Sequence, residues 1–440
     1  MKSLIKKLGL VAVALSLVAL LVGGCAPEVA PPEEVAPPEE VAPPEEVAPP
    51  EEEVEKPECI NIVYDSDLSG PYAPVAAPVY AGWIAVTDYI NTELGGLYGV
   101  PWRMTFMDTA GKVDTCVSNF MRVKEIKPKP LGMESIVSSE AEALLPLTRE
   151  AEIPTICPAS GACLYPVGYQ FAYFPYYPDA FGYFMDWLMR TWEKPEPPKV
   201  AILTWDTTFG RAILTDECYA YAEEKGIDLV ATEKFGIMDV DVTTQLTRIN
   251  ALGADWIYSN TTSFGCFAVM KGVKEMGLDT KVCFSCSGSV DAAVVKMGPE
   301  TFEGCYLVYS VVSADYWRDP PGVHPGIRLA RDYFERQARP ETEWGNGGNM
   351  CGWCPHLIFY EAAKRVVDEY GWENLDGKHV KEAMETFRDV PVLMGAEMIT
   401  YTPDRHSSNK ERMAMVKNGK VIHVEEDWGI IPDLRPAEFK

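Results

Sequence analysis

Reactive chemistry in this chain would have to come from its cysteines or from a serine pair. Cys351-Gly352-Trp353-Cys354 has the C-x-x-C spacing. Just before a helix, that spacing stabilises a thiolate and supports disulfide exchange, and it also closes as a plain structural bridge. Cys283-Phe284-Ser285-Cys286 repeats the spacing upstream; two such pairs can hold zinc, but these lie further apart than the pairs of a zinc ribbon. Haem attachment is excluded because His356 falls one residue too far from Cys354. The five histidines are scattered, so neither a metal nor a cofactor is expected. Gly345-Asn346-Gly347-Gly348-Asn349 is expected to be a loop, and no Lys-Ser/Thr follows it to cradle a phosphate. The serine pair, Ser138-Ser139, lies in the stretch Leu131–Gly161. Ser139 with Glu142 forms a capping box that predicts a helix starting at Ser139, its free N–H groups at the end of the preceding strand. Such groups suit a carboxylate or carbonyl oxygen, although S-x-x-E ordinarily does no more than cap a helix.

The elements around these residues decide between the readings. Met133–Val137 and Ile153–Cys157 are short and apolar, and the stretch between them carries Ala141, Leu144, Leu145 and Thr148 at helical spacing. The same alternation begins at Ile60: strand Ile60–Tyr64, helix Pro78–Asn91, strand Trp102–Met107, helix Thr115–Lys124. It resumes after an aromatic, proline-rich stretch, Phe171–Pro178. There the reading is helix Asp179–Thr191, strand Lys199–Thr204, helix Phe209–Glu224, strand Asp228–Glu233, helix Val242–Ala251, strand Trp256–Ser259, helix Cys266–Met276 and strand Lys281–Ser285. Parallel strands need helical crossovers, so the two runs predict an α/β protein of two doubly wound parallel-sheet domains. Glu303–Val312 reads as a long strand, and helices at Ile327–Gln337 and Leu357–Tyr370 return the chain to the first domain. A third crossing near Gly395–Tyr401 leads to strands at Arg412–Val416 and Lys420–Val424 on the second.

Upstream, Lys2, Lys6 and Lys7 precede the apolar run Leu8–Val22, which reads as a secretory signal too short to span a membrane convincingly. Leu21-Val22-Gly23-Gly24-Cys25 resembles the lipobox of bacterial lipoproteins, which implies acylation of Cys25 and a membrane contact through lipid alone. Val-Ala-Pro-Pro-Glu-Glu repeats follow. Paired prolines hold such a chain extended and its glutamates repel, so residues 25–58 read as a stiff spacer after a signal at 1–24. The net charge is −26, and the part after the spacer remains acidic, which argues against nucleic acid as a partner. Eleven cysteines follow Cys25, an odd number that requires a free thiol or an intermolecular pair in an exported protein.

Asp67-Leu68-Ser69-Gly70-Pro71, Gly82, the stretch Asn91–Gly99, Asp108, Ser138-Ser139 with Pro146, Ile153-Pro154, Pro158-Ala159, Phe209-Gly210 and Glu303-Gly304 stand in an order and spacing that resemble one family. It is the type I periplasmic binding proteins, in the leucine/isoleucine/valine-binding branch of ABC importers. The resemblance implies a clamshell with three crossovers, one lobe from residues 59–176 plus 310–398 and the other from 177–309 plus 399–440. It implies no enzyme activity, an extracytoplasmic place, and two partners, a small-molecule ligand and an ABC permease; the alternatives are a sensory receptor on the same fold and, from the two C-x-x-C pairs, a thiol- or metal-dependent redox protein. It puts Ser138 and Ser139 at the ligand carboxylate, Ala159 and Ser160 beside them, Phe209 as the aromatic residue closing from the second lobe, and Thr261 where a Tyr is common. Ser287 falls where amino-acid binders place the carboxylate that holds the ligand's ammonium group. A buried ammonium without an anion costs several kcal/mol. The expected ligand is therefore an aromatic or aliphatic carboxylate, or a neutral amide. Tyr64, Phe174, Tyr176, Tyr177, Trp205 and Phe264 are candidates equally for cleft wall and for core.

Overall fold

Apolar β-branched runs separated by amphipathic helices give two parallel sheets in the computed structural model, which describes residues 55–285, 290, 297–308, 324–340, 343–344, 346–425 and 427–440. The signal, Cys25, the Val-Ala-Pro-Pro-Glu-Glu repeats, Cys286, Ser287 and the second crossing lie outside them. In the first lobe β1 (Ile60–Ser66), β2 (Trp102–Asp108), β3 (Gly132–Glu134), β4 (Thr155–Ile156) and β5 (Gln170–Phe171) form a parallel sheet of order β2-β1-β3-β4-β5. The connecting helices are α1 (Ala73–Thr92), α2 (Val113–Val123), α3 (Ser138–Ala151) and the single turn α4 (Gly161–Leu164).

The chain crosses through Ala172–Tyr176 into α5 (Tyr177–Thr191) and the second lobe. There β6 (Lys199–Trp205), α6 (Thr208–Arg211), α7 (Asp216–Lys225), β7 (Asp228–Phe235), α8 (Thr243–Ala251), β8 (Trp256–Ser259), α9 (Ser263–Glu275), β9 (Lys281–Phe284), α10 (Pro299–Phe302) and β10 (Tyr306–Val308) follow in order. Helices α11 (Pro325–Arg336), α12 (Asn346–Tyr370) and α13 (Gly377–Glu385) pack on the first lobe with the small ribbon β11 (Val390–Val392) and β12 (Glu397–Ile399). After the last crossing come β13 (Lys410–Glu411), β14 (Met413–Lys417), β15 (Lys420–His423) and β16 (Gly429–Ile430). The second sheet has the order β15-β14-β10-β9-β8-β6-β7, and β14 and β15 are an antiparallel hairpin at its edge. Asn418 and Gly419, both at positive φ, make its tight turn. The first and third crossings run side by side. Ala172 N donates to His406 O at 2.7 Å, Pro175 bridges Ser408, and the Phe171 and His406 rings stack at 3.8 Å.

Four local expectations are corrected. Helix α3 begins one residue early: Val137 is its N-cap and no side chain caps it, so the Ser139–Glu142 box is not formed. Glu142 is exposed, while Glu140 is buried and accepts from Thr109 Oγ1 at 2.6 Å. The predicted helix over 209–224 is broken in two because Thr207 and Thr215 each cap a new start, accepting from Gly210 N and Cys218 N. Helix α1 starts five residues before Pro78, with proline in its first turn, where the missing N–H costs nothing. Asn346–Asn349 and the C-x-x-C do not form a loop before a helix; both lie in the first turns of α12, as Gly82 of α1 and Gly352 of α12 let the two backbones touch.

Candidate functional site

The strand ends that open the site are those of β1, β3 and β4 from one lobe and of β6 and β8 from the other. In open α/β sheets this carboxyl edge is where ligands bind. A cleft of about 870 Å³ of empty space, its mouth included, lies there between the lobes. Its walls are mostly apolar and aromatic, with Tyr72, Tyr173, Phe174, Tyr177 and Phe209 contributing rings and Thr262 and Ser263 facing from the second lobe.

Ser138, the first residue of α3, stands in the cleft wall, 5% exposed, and its carbonyl accepts from Cys163 Sγ at 3.3 Å. Phe209 stands opposite, on α6. Its carbonyl accepts from Asn260 Nδ2 at 2.6 Å and its ring meets Tyr177 edge-on at 5.1 Å, so the side chain has a fixed direction. Ser139, Ala159, Ser160 and Thr261 are outside the wall. Ala159 O accepts from Tyr177 N at 3.0 Å, and Ser160 Oγ lies 2.9 Å from Cys163 Sγ, so both support wall residues from behind. Thr261 points into its own lobe, with Oγ1 3.0 Å from Ser259 Oγ. Of the aromatic candidates, Phe174 and Tyr177 line the cleft, Tyr64, Tyr176 and Trp205 are core, and Phe264 is exposed on α9.

The residue that sequence reasoning missed is Glu134. It ends β3 in the cleft wall, is buried, and accepts a hydrogen bond on Oε2 from Trp83 Nε1 of α1. Burial pushes its carboxyl well above the usual range, and the Trp83 bond opposes this only in part. Ser135 beside it is buried, and its Oγ has no hydrogen-bond partner among the described residues. A rank of carboxyls lies behind: burial raises Asp65 to about 7 against the Asn119 hydrogen bond, and Glu140 to about 8 against that of Thr109. A strand position that is polar inside an apolar run was the available signal, but nothing local marks it as buried.

The thiols do not form the reactive arrangement. Cys351 is half-buried in the cleft wall, whereas Cys354 is wholly buried within α12 and its thiol is pushed well up by burial, the reverse of an activated thiolate. Among the described residues no disulfide is formed, and no cluster of three or more His, Cys, Asp or Glu is placed to hold a metal.

With this geometry in view, the relationship to known proteins is clear. The chain belongs to the periplasmic binding protein family, whose model matches residues 60–420. No curated protein matches it. Among solved structures it resembles a branched-chain amino acid ABC transporter protein from Thermus thermophilus with bound valine, at TM-score 0.72 and 20% identity over 88% of this chain and 98% of that one. It also resembles a fatty acid ABC transporter substrate-binding protein from Thermomonospora curvata, with TM-score 0.69 and 16% identity over 84% and 92% of the two chains. A type 1 periplasmic binding protein from Bordetella pertussis Tohama I matches at TM-score 0.65 and 18% identity over 83% and 99%. At these identities the likeness is one of fold, the two-lobed α/β clamshell.

Proposed function

We propose that this protein is an extracytoplasmic solute-binding lipoprotein, held to the membrane by lipid on Cys25, that closes on a small organic ligand and delivers it to an ABC importer. The observation that carries this reading is a cleft at the carboxyl edges of both sheets, walled by residues of both lobes, with crossings that pass side by side at one place. Closure about a few crossing strands brings the two walls onto a ligand and presents a changed face to a permease. An oxygen of the ligand, from a carboxylate, carbonyl or amide, lies against Ser138 and the first N–H groups of α3. Its body lies along Tyr177 and Phe209. Apolar walls supply most of the affinity, since hydrogen bonds exchanged with water contribute about 1 kcal/mol each.

The test is a thermal-shift screen of the purified Cys25→Ala chain against amino acids, aromatic acids, short-chain acids and amides, followed by uptake of the hit in cells with and without the gene. A ligand at ~100 times its Kd stabilises by about 2.7 kcal/mol. Phe209→Ala is expected to weaken the hit about tenfold or more, in proportion to the ring area lost. Binding that ignores Phe209 and Ser138 would remove the cleft as the site, and unchanged uptake in the deletion strain would remove the importer.

A further inference from the structure

Glu134 makes a demand on the ligand that Ser138 and Phe209 do not. Among the described residues lining the cleft it is the one carboxylate, and none is Lys, Arg or His. An anionic ligand therefore meets no cation there. The whole chain, at −26, also favours the approach of cations over anions. One oxygen of Glu134 is held by Trp83, which orients the group without neutralising it. The neighbouring Ser135 Oγ, buried and without a described partner, offers a second acceptor. Tyr72, Tyr173, Phe174, Tyr177 and Phe209 bring aromatic rings to the same space, and ring faces attract a desolvated cation.

We propose that Glu134 is the recognition group for a basic nitrogen, so that the ligand is a protonated amine or quaternary ammonium on an apolar body. This rests on the solute-binding reading and replaces the acid head group considered there with a basic one. The anion missing at Ser287 is supplied from the opposite lobe, at the end of β3. Burial favours the protonated form of Glu134 in the empty cleft. When the cation enters, the proton leaves to solvent and the carboxylate pairs with the nitrogen, so charge balances inside the closed site.

The experiment uses the Cys25→Ala chain and a matched set of probes: phenethylamine and choline as cations, 3-phenylpropanoate as the anion, phenylacetamide as the neutral compound. Glu134→Gln keeps an acceptor for Trp83, and circular dichroism checks that it folds. The expected result is binding of at least one cation by the unsubstituted cleft, weakened about 30-fold or more in Glu134→Gln, as for loss of a charged hydrogen-bond partner. Calorimetry in two buffers of different ionisation enthalpy is expected to show proton release with the first protein and none with the variant. Cation affinity within about threefold in Glu134→Gln overturns the proposal, as does a cleft that binds neither cation. If only the acid or the amide binds, with sensitivity to Phe209→Ala, the solute-binding reading stands and the assignment of Glu134 falls. If no probe of any class binds, both fall.

Discussion

Replacing Gly82 by alanine tests whether the cleft wall depends on how closely α1 and α12 approach. Gly82 faces the backbone of α12, and a Cβ there would overlap the Asn349 carbonyl oxygen while sitting 3.2 Å from both the Asn349 carbonyl carbon and Gly352 Cα. Those are helix backbone atoms, so no side-chain rotation relieves the overlap. The two helices must separate by about 1 Å to restore normal contact. Overpacking of this kind costs about 1–3 kcal/mol, and the widened seam around Val79, Trp83, Met350 and Trp353 forfeits part of its dispersion energy as well. A total of about 3 kcal/mol is expected, lowering the melting temperature by about 4 °C for a folded part of this size. Trp83 moves with α1, so its N–H is drawn away from Glu134 and ligand affinity falls in the same variant. Gly352→Ala places its Cβ 2.7 Å from Trp83 N and 2.9 Å from Gly82 C, and opens the same seam. The double variant should therefore cost less than the sum of the singles, with a coupling of about 1–2 kcal/mol. Urea unfolding of all four proteins measures this. A Gly82→Ala loss under about 0.5 kcal/mol, or strict additivity in the cycle, would refute the reasoning.

Stability should fall as pH rises between about 4 and 8, because Asp65 and Glu140, held up to about 7 and about 8, keep protons that the unfolded chain has already released. Their contribution is complete below the ordinary carboxylate range and gone above the raised values, so Glu140→Gln should match the parent near pH 4.5 and exceed it at pH 8; equal denaturant midpoints at pH 8 count against this. Arg405→Ala strips the buried Asp179 of its ion pair at 2.6 Å. The loss should be about 3 kcal/mol at pH 8, smaller at pH 5 where Asp179, raised by burial to about 7, takes a proton, and partly recovered by adding Asp179→Asn. Cys25→Ala should move the protein to the soluble cell fraction with ligand affinity unchanged, as fractionation and thermal shift will show; lost binding would contradict an isolating spacer.

Local periodicity was sufficient for the two runs of strand and helix, their parallel pairing and the return of the late helices to the first lobe, because a parallel strand pair cannot be built without a helical crossover. That Phe209 and the Ser138-Ser139 pair follow strands whose apolar runs end abruptly was legible for the same reason, but the earlier start of α3 and the break between α6 and α7 were not. Burial and partnership across long separations were not legible. Strand β3 lies inside its sheet with helices on both faces, so alternation could not show which side chain meets a cleft, and Glu134 finds Trp83 only through the packing of α1 on that sheet. In α12, the glycine and asparagine run argued for a loop by its own propensities. The close approach of Gly82 and Gly352 offsets that cost, a gain that exists only once the two helices are in contact. Thr261 and Thr262 differ in the same way: adjacent residues with the same side chain, one turned into its lobe and the other facing the cleft. The direction each takes is set by the start of α9 and its packing, which no spacing in the chain encodes.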